Sequence, residues 1–580
     1  MTDNNARARV GTRPEAPDPP DRRRWMVLVI LLVATFMDLL DVTIVAIAVP
    51  SIQQDISATY TAAQWVLAGY SLAFALLLIT GGRLGDIVGR KRMFLLGMAG
   101  FTVASALCGL APSPEMLIAS RVLQGAMAAM MVPQVISSIQ VMFSPKERVA
   151  AFSVYGGVAG LATVSGPLLG GLLIKADILD LGWRTIFLIN VPIGLAALVG
   201  GLVLMKELRT PHALRLDLTG VGIITVTMLL LVYPLMQGRE KGWPTWIFAM
   251  MAASAVGLVV FAAHQRRRST GGGSPLVPME LFKEKAFVGG LLVNLVFFAG
   301  IVSFFLVFII YLQAGLDKSV LAAAMANLPW SVGIALASGA SFQLAPKLGR
   351  TVLHIGTALM TASMVAIILT IQFVGTDVSV WHFVPSMFVG GVGMGLVAPL
   401  LVDAVISGVP HHEAGSASGV LSAVQQVGGA LGIALIGVIF FGLLGDRAQD
   451  VAEAKAAPIR AALQSAGAPV DAQRQAVDGF VRCFVDRSAE EDPTAVPVSC
   501  RDTGQAAPAV TRAYAEAATD ARRELFSDAM KWTAWYNAGV FFLAFLLVFR
   551  LPRRINVHAE AEAGLDEDVP AEPADPSRVH

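Results

Sequence analysis

The sequence predicts an all-helical membrane protein with fourteen spans, and three observations carry that prediction. Of 580 residues, 55% are hydrophobic and only 15% are charged, well under the ~25% charged residues of soluble domains. Long apolar runs recur along the whole chain, each near the ~20 residues that cross a bilayer core. Arg and Lys gather in alternate turns between those runs, the pattern expected of cytoplasmic loops.

Taken in order, residues 1–24 are polar and proline-rich and read as a disordered cytoplasmic tail without a cleavable signal. The first apolar run, 25–49, is too long for a signal-peptide core, so it is a span. Further runs lie at 62–82, 93–111, 116–142, 150–174 and 185–205, then at 217–237 and 245–264. The last six are 286–311, 321–345, 351–374, 382–407, 419–445 and 532–551. An even number puts both chain ends on one side. Arg22-Arg23-Arg24, Arg266-Arg267-Arg268 and Arg550 with Arg553-Arg554 assign that side to the cytoplasm, whereas the opposite turns 51–61 and 375–381 carry no Lys or Arg.

Two segments fall outside the spans. Residues 446–531 form a polar, alanine-rich insertion placed outside the cell by the topology, with one or two short amphipathic helices expected between Val451 and Phe484. Its two cysteines, Cys483 and Cys500, are candidates for a disulfide in that oxidising setting, the alternative being two free thiols in a loop. The other segment is the acidic tail, 552–580.

Charges inside the spans point to the chemistry. Asp38 and Asp41 lie in the first span, where a carboxylate near the bilayer centre costs roughly 2.5–3.5 kcal/mol on insertion scales. At i and i+3 they share a helix face. Burial and mutual repulsion oppose two ionised carboxyls side by side, which suits the pair to loading and releasing a proton as its exposure alternates. Asp38 has a second reading, as a contact for a cationic substrate. Arg121, early in the fourth span, sits about five residues below the outer end and Asp41 about eight, comparable depths at ~1.5 Å per residue. An Arg121–Asp41 pair is expected, either coupling protons or simply holding the two spans together. Asp403, near the inner end of the twelfth span, reads as an interfacial residue.

The turn at 82–92 (Gly-Arg-Leu-Gly-Asp-Ile-Val-Gly-Arg-Lys-Arg) packs five charges into eleven residues, so it is expected at the membrane surface. The fifth span carries Gly166, Pro167, Gly170 and Gly171, a pattern that allows close helix approach and a bend. Aromatic and Met-rich runs (Phe297, Phe298, Phe304, Phe305, Met394) are candidates for an adaptable pocket or for ordinary core.

Together these motifs resemble the fourteen-span drug:proton antiporter family of the major facilitator superfamily. The resemblance covers about residues 25–445 and the last span. It rests on the 82–92 turn, on Leu40-Asp41-Val42-Thr43-Ile44-Val45 through Val49-Pro50, on Arg121 to Gly125, and on the Gly166-Pro167 and Gly170-Gly171 motif of exporters. Trp183-Arg184 with Phe187, Asn190, Pro192 and Gly194 also fits, as does Asp217-Leu218-Thr219-Gly220. Asp38 is not part of the usual motif, and the second-half counterpart of the turn, Ala345-Pro346-Lys347-Leu348-Gly349-Arg350, lacks the acidic residue.

The resemblance implies a major facilitator fold of two six-helix bundles, 25–205 and 286–551, with two extra spans and a linker at 206–285. It implies proton coupling by Asp41, Asp38 and Arg121, and a cytoplasmic latch built from Gly82, Gly85, Asp86, Gly89 and Arg90. In that latch Asp86 would sit at a helix start and pair with Arg or Lys from the other half.

The expected function is proton-coupled efflux of hydrophobic, cationic drugs or antibiotics across the cell membrane by a monomer. The alternatives are a dedicated exporter of one natural product or of lipid or cell-envelope precursors, and behind them a nutrient symporter or a non-transporting sensor or scramblase. The expected partners are an amphiphilic substrate, protons and membrane lipids. A net charge of +1 argues against nucleic acid. The sequence shows no His/Cys metal cluster, Walker loop or Gly-x-Ser-x-Gly elbow, so no enzyme, metal or cofactor is expected, and an ion gradient is the energy source.

Overall fold

The computed structural model of the protein describes residues 23–552 apart from 208–215, 239–240, 272, 490–495 and 501–507. The two tails expected at 1–24 and 552–580 therefore lie almost wholly outside the described residues, as do Arg22, Arg553 and Arg554. Among the described residues the molecule is helical throughout, and thirteen helices are long and apolar enough to cross a membrane.

The first half contains α1 (Arg23–Asp55), α2 (Tyr60–Val88), α3 (Arg90–Gly109), α4 (Pro114–Met142), α5 (Pro145–Ala176), the single turn α6 (Thr185–Leu188) and α7 (Asn190–Leu204). Next come α8 (Leu218–Gln237) and α9 (Thr245–Thr270), which pair with each other. The second half contains α10 (Lys285–Ile310), α11 (Val320–Leu348), α12 (Thr351–Val374), α13 (Val384–Ile406), α14 (Ala414–Lys455) and α17 (Pro508–Val548). The fourteenth expected span, 150–174, lies in the 32-residue α5, which stands outside the thirteen.

Polar contacts tie the arginine clusters to a single face of the bundle. Arg24 pairs with Glu147 at the start of α5, Arg92 with Glu207 after α7, and Arg350 donates to carbonyls just beyond the end of α17. This is called the basic face below. The halves meet where α2 packs on α14 and where α5 packs on α11 and α13, with α8 lying against both α2 and α14.

Two sequence expectations need correction. The 82–92 segment is not an open turn with all its charges facing water: α2 continues to Val88 and α3 begins at Arg90, so only Gly89 is non-helical, at φ +111°, and of the charges Arg92 stays exposed. Arg83, Asp86 and Arg90 are buried at 2%, 3% and 4% exposure, because the other half covers them instead of water. The insertion 446–531 is also not separate from the spans. Both α14 and α17 run unbroken out of the bundle into it, where they join α15 (Ala457–Ser465) and α16 (Val470–Ala489) around Ile459, Phe480 and Ala517. Cys483 and Cys500 are disulfide-bonded there.

The aromatic run of α10 belongs to the second-half core. Phe297 and Phe304 are fully buried, and Phe304 stacks on Trp330 at 5.6 Å.

Candidate functional site

The buried charges of α1 and α4 meet within the first half. Arg121 is 1% exposed and donates through Nη1 to Asp41 Oδ2, making an ion pair between α4 and α1. Two further donors of its guanidinium are also committed: Nε donates to the Val66 carbonyl at 3.1 Å and Nη1 also to Gln124 Oε1 at 2.8 Å. Asp41 receives two more donors, Gln124 Nε2 at 2.8 Å and Asn190 Nδ2 at 3.2 Å. Asn190 Nδ2 also reaches Ser105 Oγ at 3.1 Å. This satisfies the rule that a buried ion pair is stable only when its remaining valences are met.

Asp38, one turn earlier on α1, lives differently. It is 5% exposed and accepts a hydrogen bond from the Tyr70 hydroxyl. Among the described residues it has no cationic partner. Tyr70 links the two carboxyl environments, since the Arg121 guanidinium lies 4.4 Å from the centre of its ring. The structure thus brings Asp38, Asp41 and Arg121 together as expected but gives the two acids unequal company.

The fifth-span motif closes this site from one side. A Cβ on Gly166 would lie 2.0 Å from Thr43 Oγ1, and one on Gly170 would lie 2.9 Å from Ile44 Cγ1. Only glycine lets α5 sit this close to α1, two and three residues beyond Asp41. Gly171 faces open space, so it has no part in that contact. Pro167 lies within α5, and its side chain is outside the described residues.

The latch residues form a second centre at the basic face. Sixteen residues of α2 separate Tyr70 from Asp86, about 24 Å along the helix. Asp86 sits near the end of its own helix, not at a start, and its partners in the other half are backbone amides instead of Arg or Lys. Gly415 N donates to Oδ1 and Ser416 N to Oδ2, each at 3.0 Å, so the carboxylate caps the first turn of α14. Arg90 Nη2 lies 3.3 Å from the same carboxylate within its own half. A Cβ on Gly82 would come within 2.2 Å of the Gly415 carbonyl, and one on Gly85 within 1.9 Å of Gln134 Oε1, so both positions serve close packing.

Two further residues of the first half bond to the second at this face, and neither was foreseen. Arg148 Nε donates to Asp403 Oδ1 at 2.6 Å, with both residues buried. Asp403 is therefore a buried partner between the halves. Gln140 Nε2 donates to the Ile406 and Val409 carbonyls at 2.9 and 3.1 Å, capping the end of α13. The α13–α14 turn is thus gripped at both ends by the first half. Glu413 in that turn is pushed above its ordinary carboxyl range by burial.

Among the described residues Arg350, the counterpart of the latch in the second half, bonds within that half, to the Phe549 and Leu551 carbonyls. At the far face Asp55 accepts from Arg184 and from Trp183 Nε1, tying α1 to the α6 region. The Arg184 hydrogen bond, then that of Trp183, holds this carboxyl below its usual range.

Two helical halves, a charge network buried in one of them and polar bonds joining them at one face fit a multi-pass membrane transporter. The chain belongs to the Major Facilitator Superfamily, whose family model matches residues 31–433. It is 43% identical over 540 residues to a probable actinorhodin transporter of Streptomyces coelicolor, covering 93% of each chain. It is 37% identical over 426 residues to a puromycin resistance protein of Streptomyces alboniger, covering 73% of this chain and 83% of that one. A multidrug efflux pump of Mycolicibacterium smegmatis is 31% identical over 419 residues, 72% of this chain and 81% of the relative. The fold matches the crystal structure of the human organic anion transporter TETRAN at a TM-score of 0.51 and 15% identity, over 91% of this chain and 100% of that one.

Proposed function

We propose that the protein exports amphiphilic drugs or antibiotics, cationic ones foremost, in exchange for protons, with the basic face toward the cytoplasm and Asp38 as the exchanging group. The observation that carries this reading is the inequality of the two acids of α1. Asp41 is neutralised by Arg121 and held by two amides, so removing its charge would strand a buried guanidinium. Asp38 has a neutral hydroxyl for company, so it can hold a proton or a cationic group of the substrate without dismantling the site. Competition between the two for one carboxyl couples their movements in opposite directions.

The basic-face bonds of Asp86, Gln140 and Arg148 form a closed inner gate, and alternating access requires them to break together. Relatives that confer antibiotic resistance or efflux several drugs support the export direction. A second reading, export of one natural product, is favoured by the relative named as a probable actinorhodin transporter. An alignment of 540 of the 580 residues spans the far-face cap of α15 and α16, whereas the 426-residue match leaves at least part of the chain's length uncovered.

The deciding experiment reconstitutes the protein in vesicles with an imposed proton gradient and follows efflux of cationic, neutral and anionic amphiphiles. Gradient-driven efflux lost with a protonophore is expected. Efflux that survives collapse of the gradient would overturn proton coupling, and efflux confined to one neutral or anionic compound would replace the cationic reading with the second one.

A further inference from the structure

Asp217, singled out in the sequence, belongs neither to the coupling site nor to the latch, yet it is 1% exposed and ringed by donors. It immediately precedes α8. Gln265 Nε2 donates to its Oδ2 at 3.0 Å, His264 Nε2 lies 3.0 Å from that oxygen, and Arg268 Nη1 lies 3.6 Å from Oδ1. Burial pushes this carboxyl up, but the Gly220 amide, His264 and Gln265 outweigh it and hold the group below its ordinary range.

Gln265 is fully buried, and its other end grips the linker that leads to α10. Its Oε1 accepts from Leu276 N at 2.7 Å and from Val277 N at 3.4 Å. Two buried backbone donors would otherwise lack a partner. The Leu276 carbonyl in turn accepts from Ser416 Oγ at 3.2 Å. Ser416 is the residue whose backbone amide caps onto Asp86. A continuous chain of hydrogen bonds therefore runs from the two additional helices to the gate. Leu276 and Val277 are both buried in the same extended apolar cluster as Leu421 of α14, and the Ser416 bond sets the linker against the first turn of that helix.

We propose that Asp217 and Gln265 are positioning residues of the basic-face gate: they hold the linker against Ser416 and so keep the first turn of α14 seated on Asp86. The additional helices then set how often the gate opens. The effect on turnover rests on the alternating-access reading, whereas the effect on the gate does not.

The test reads the gate directly. Ser422 is 3% exposed and lies on the α14 stripe of Gly415, Ser418 and Gly419 that meets the first half, so Ser422→Cys reports opening through its rate of reaction with N-ethylmaleimide. The protein with only its buried Cys108 and the disulfide supplies the background. Gln265→Leu and Ser416→Ala are each expected to raise the rate roughly two- to tenfold, the effect of losing a net hydrogen bond on an equilibrium. Ser416→Ala also removes the longer Oγ contacts to Asp86 and Arg83, whereas Gln265→Leu reaches the gate only through the linker that Ser416 holds, so the double variant should be no faster than Ser416→Ala alone. Unchanged rates, or effects that multiply in the double variant, would overturn the proposal. Should Gln265→Leu not accumulate, Asp217→Asn takes its place in the same cycle, judged by the same outcomes. Labelling that rises as expected while gradient-driven efflux stays unchanged would instead count against the transport reading alone.

Discussion

Asp41→Asn and Asp38→Asn are the same chemical change one helical turn apart, and they should fail in opposite ways. Asp41→Asn removes the counter-charge of Arg121, which is 1% exposed and cannot reach water. Breaking one side of a buried pair costs about 3–5 kcal/mol, and the Gln124 and Asn190 amides do not replace a negative charge. Asp38→Asn deletes no ion pair and keeps an oxygen for the Tyr70 hydroxyl, so its cost should stay below about 1 kcal/mol, the scale of one neutral hydrogen bond. The assay pairs a denaturation midpoint for the purified protein with gradient-driven efflux in vesicles. Asp41→Asn should lose both fold stability and transport. Asp38→Asn should keep near-parental stability while losing coupling. Equal destabilisation of the two variants, or full gradient-driven efflux by Asp38→Asn, would refute the division of labour.

Removing the inner-gate ion pair with Arg148→Gln should favour the open basic face and raise labelling of a cysteine at Ser422, with partial restoration when Asp403→Asn is added, since no buried charge is then left alone. Gly166→Val should abolish transport and reduce folded yield, because a Cβ would fall 2.0 Å from Thr43 Oγ1, whereas Gly171→Ala, facing open space, should change stability by less than about 0.5 kcal/mol. Reducing Cys483–Cys500, which closes a 17-residue separation, should loosen the far-face cap by about 3 kcal/mol, read as faster proteolysis between α15 and α17 with the transmembrane part intact.

Some of the site was legible because it rests on local quantities. A carboxylate in a 33-residue apolar helix needs a partner or a function wherever the helix packs, so Asp38, Asp41 and Arg121 stood out by position alone. Others were visible as motif letters without a role. Asn190, Trp183, Arg184 and Asp217 all matched a family pattern, but their partners are Asp41, Asp55 and Gln265, residues 48 to 149 positions away. Arg148 and Gln140 carried no signal, since a charged or amide side chain at a helix end is ordinarily solvated. Only the second half, more than 250 residues further along, buries them.

Hydropathy and the placement of Arg and Lys are properties of the chain read in one dimension, and they determined the helical class and where the long apolar helices lie. They also led to the inference that all five charges near Gly89 face water, which holds for Arg92 but not for Arg83, Asp86 and Arg90, because membrane and water are not the only environments. The tertiary structure supplies a third environment, the interior between two halves. There Asp86 meets backbone amides, Asp403 meets Arg148 and the linker meets Ser416. Those pairings depend on how two bundles dock, a long-range property that no local pattern of residues encodes. Packing within the first half likewise separates the two acids of α1, giving Asp41 the Arg121 guanidinium and Asp38 the Tyr70 hydroxyl.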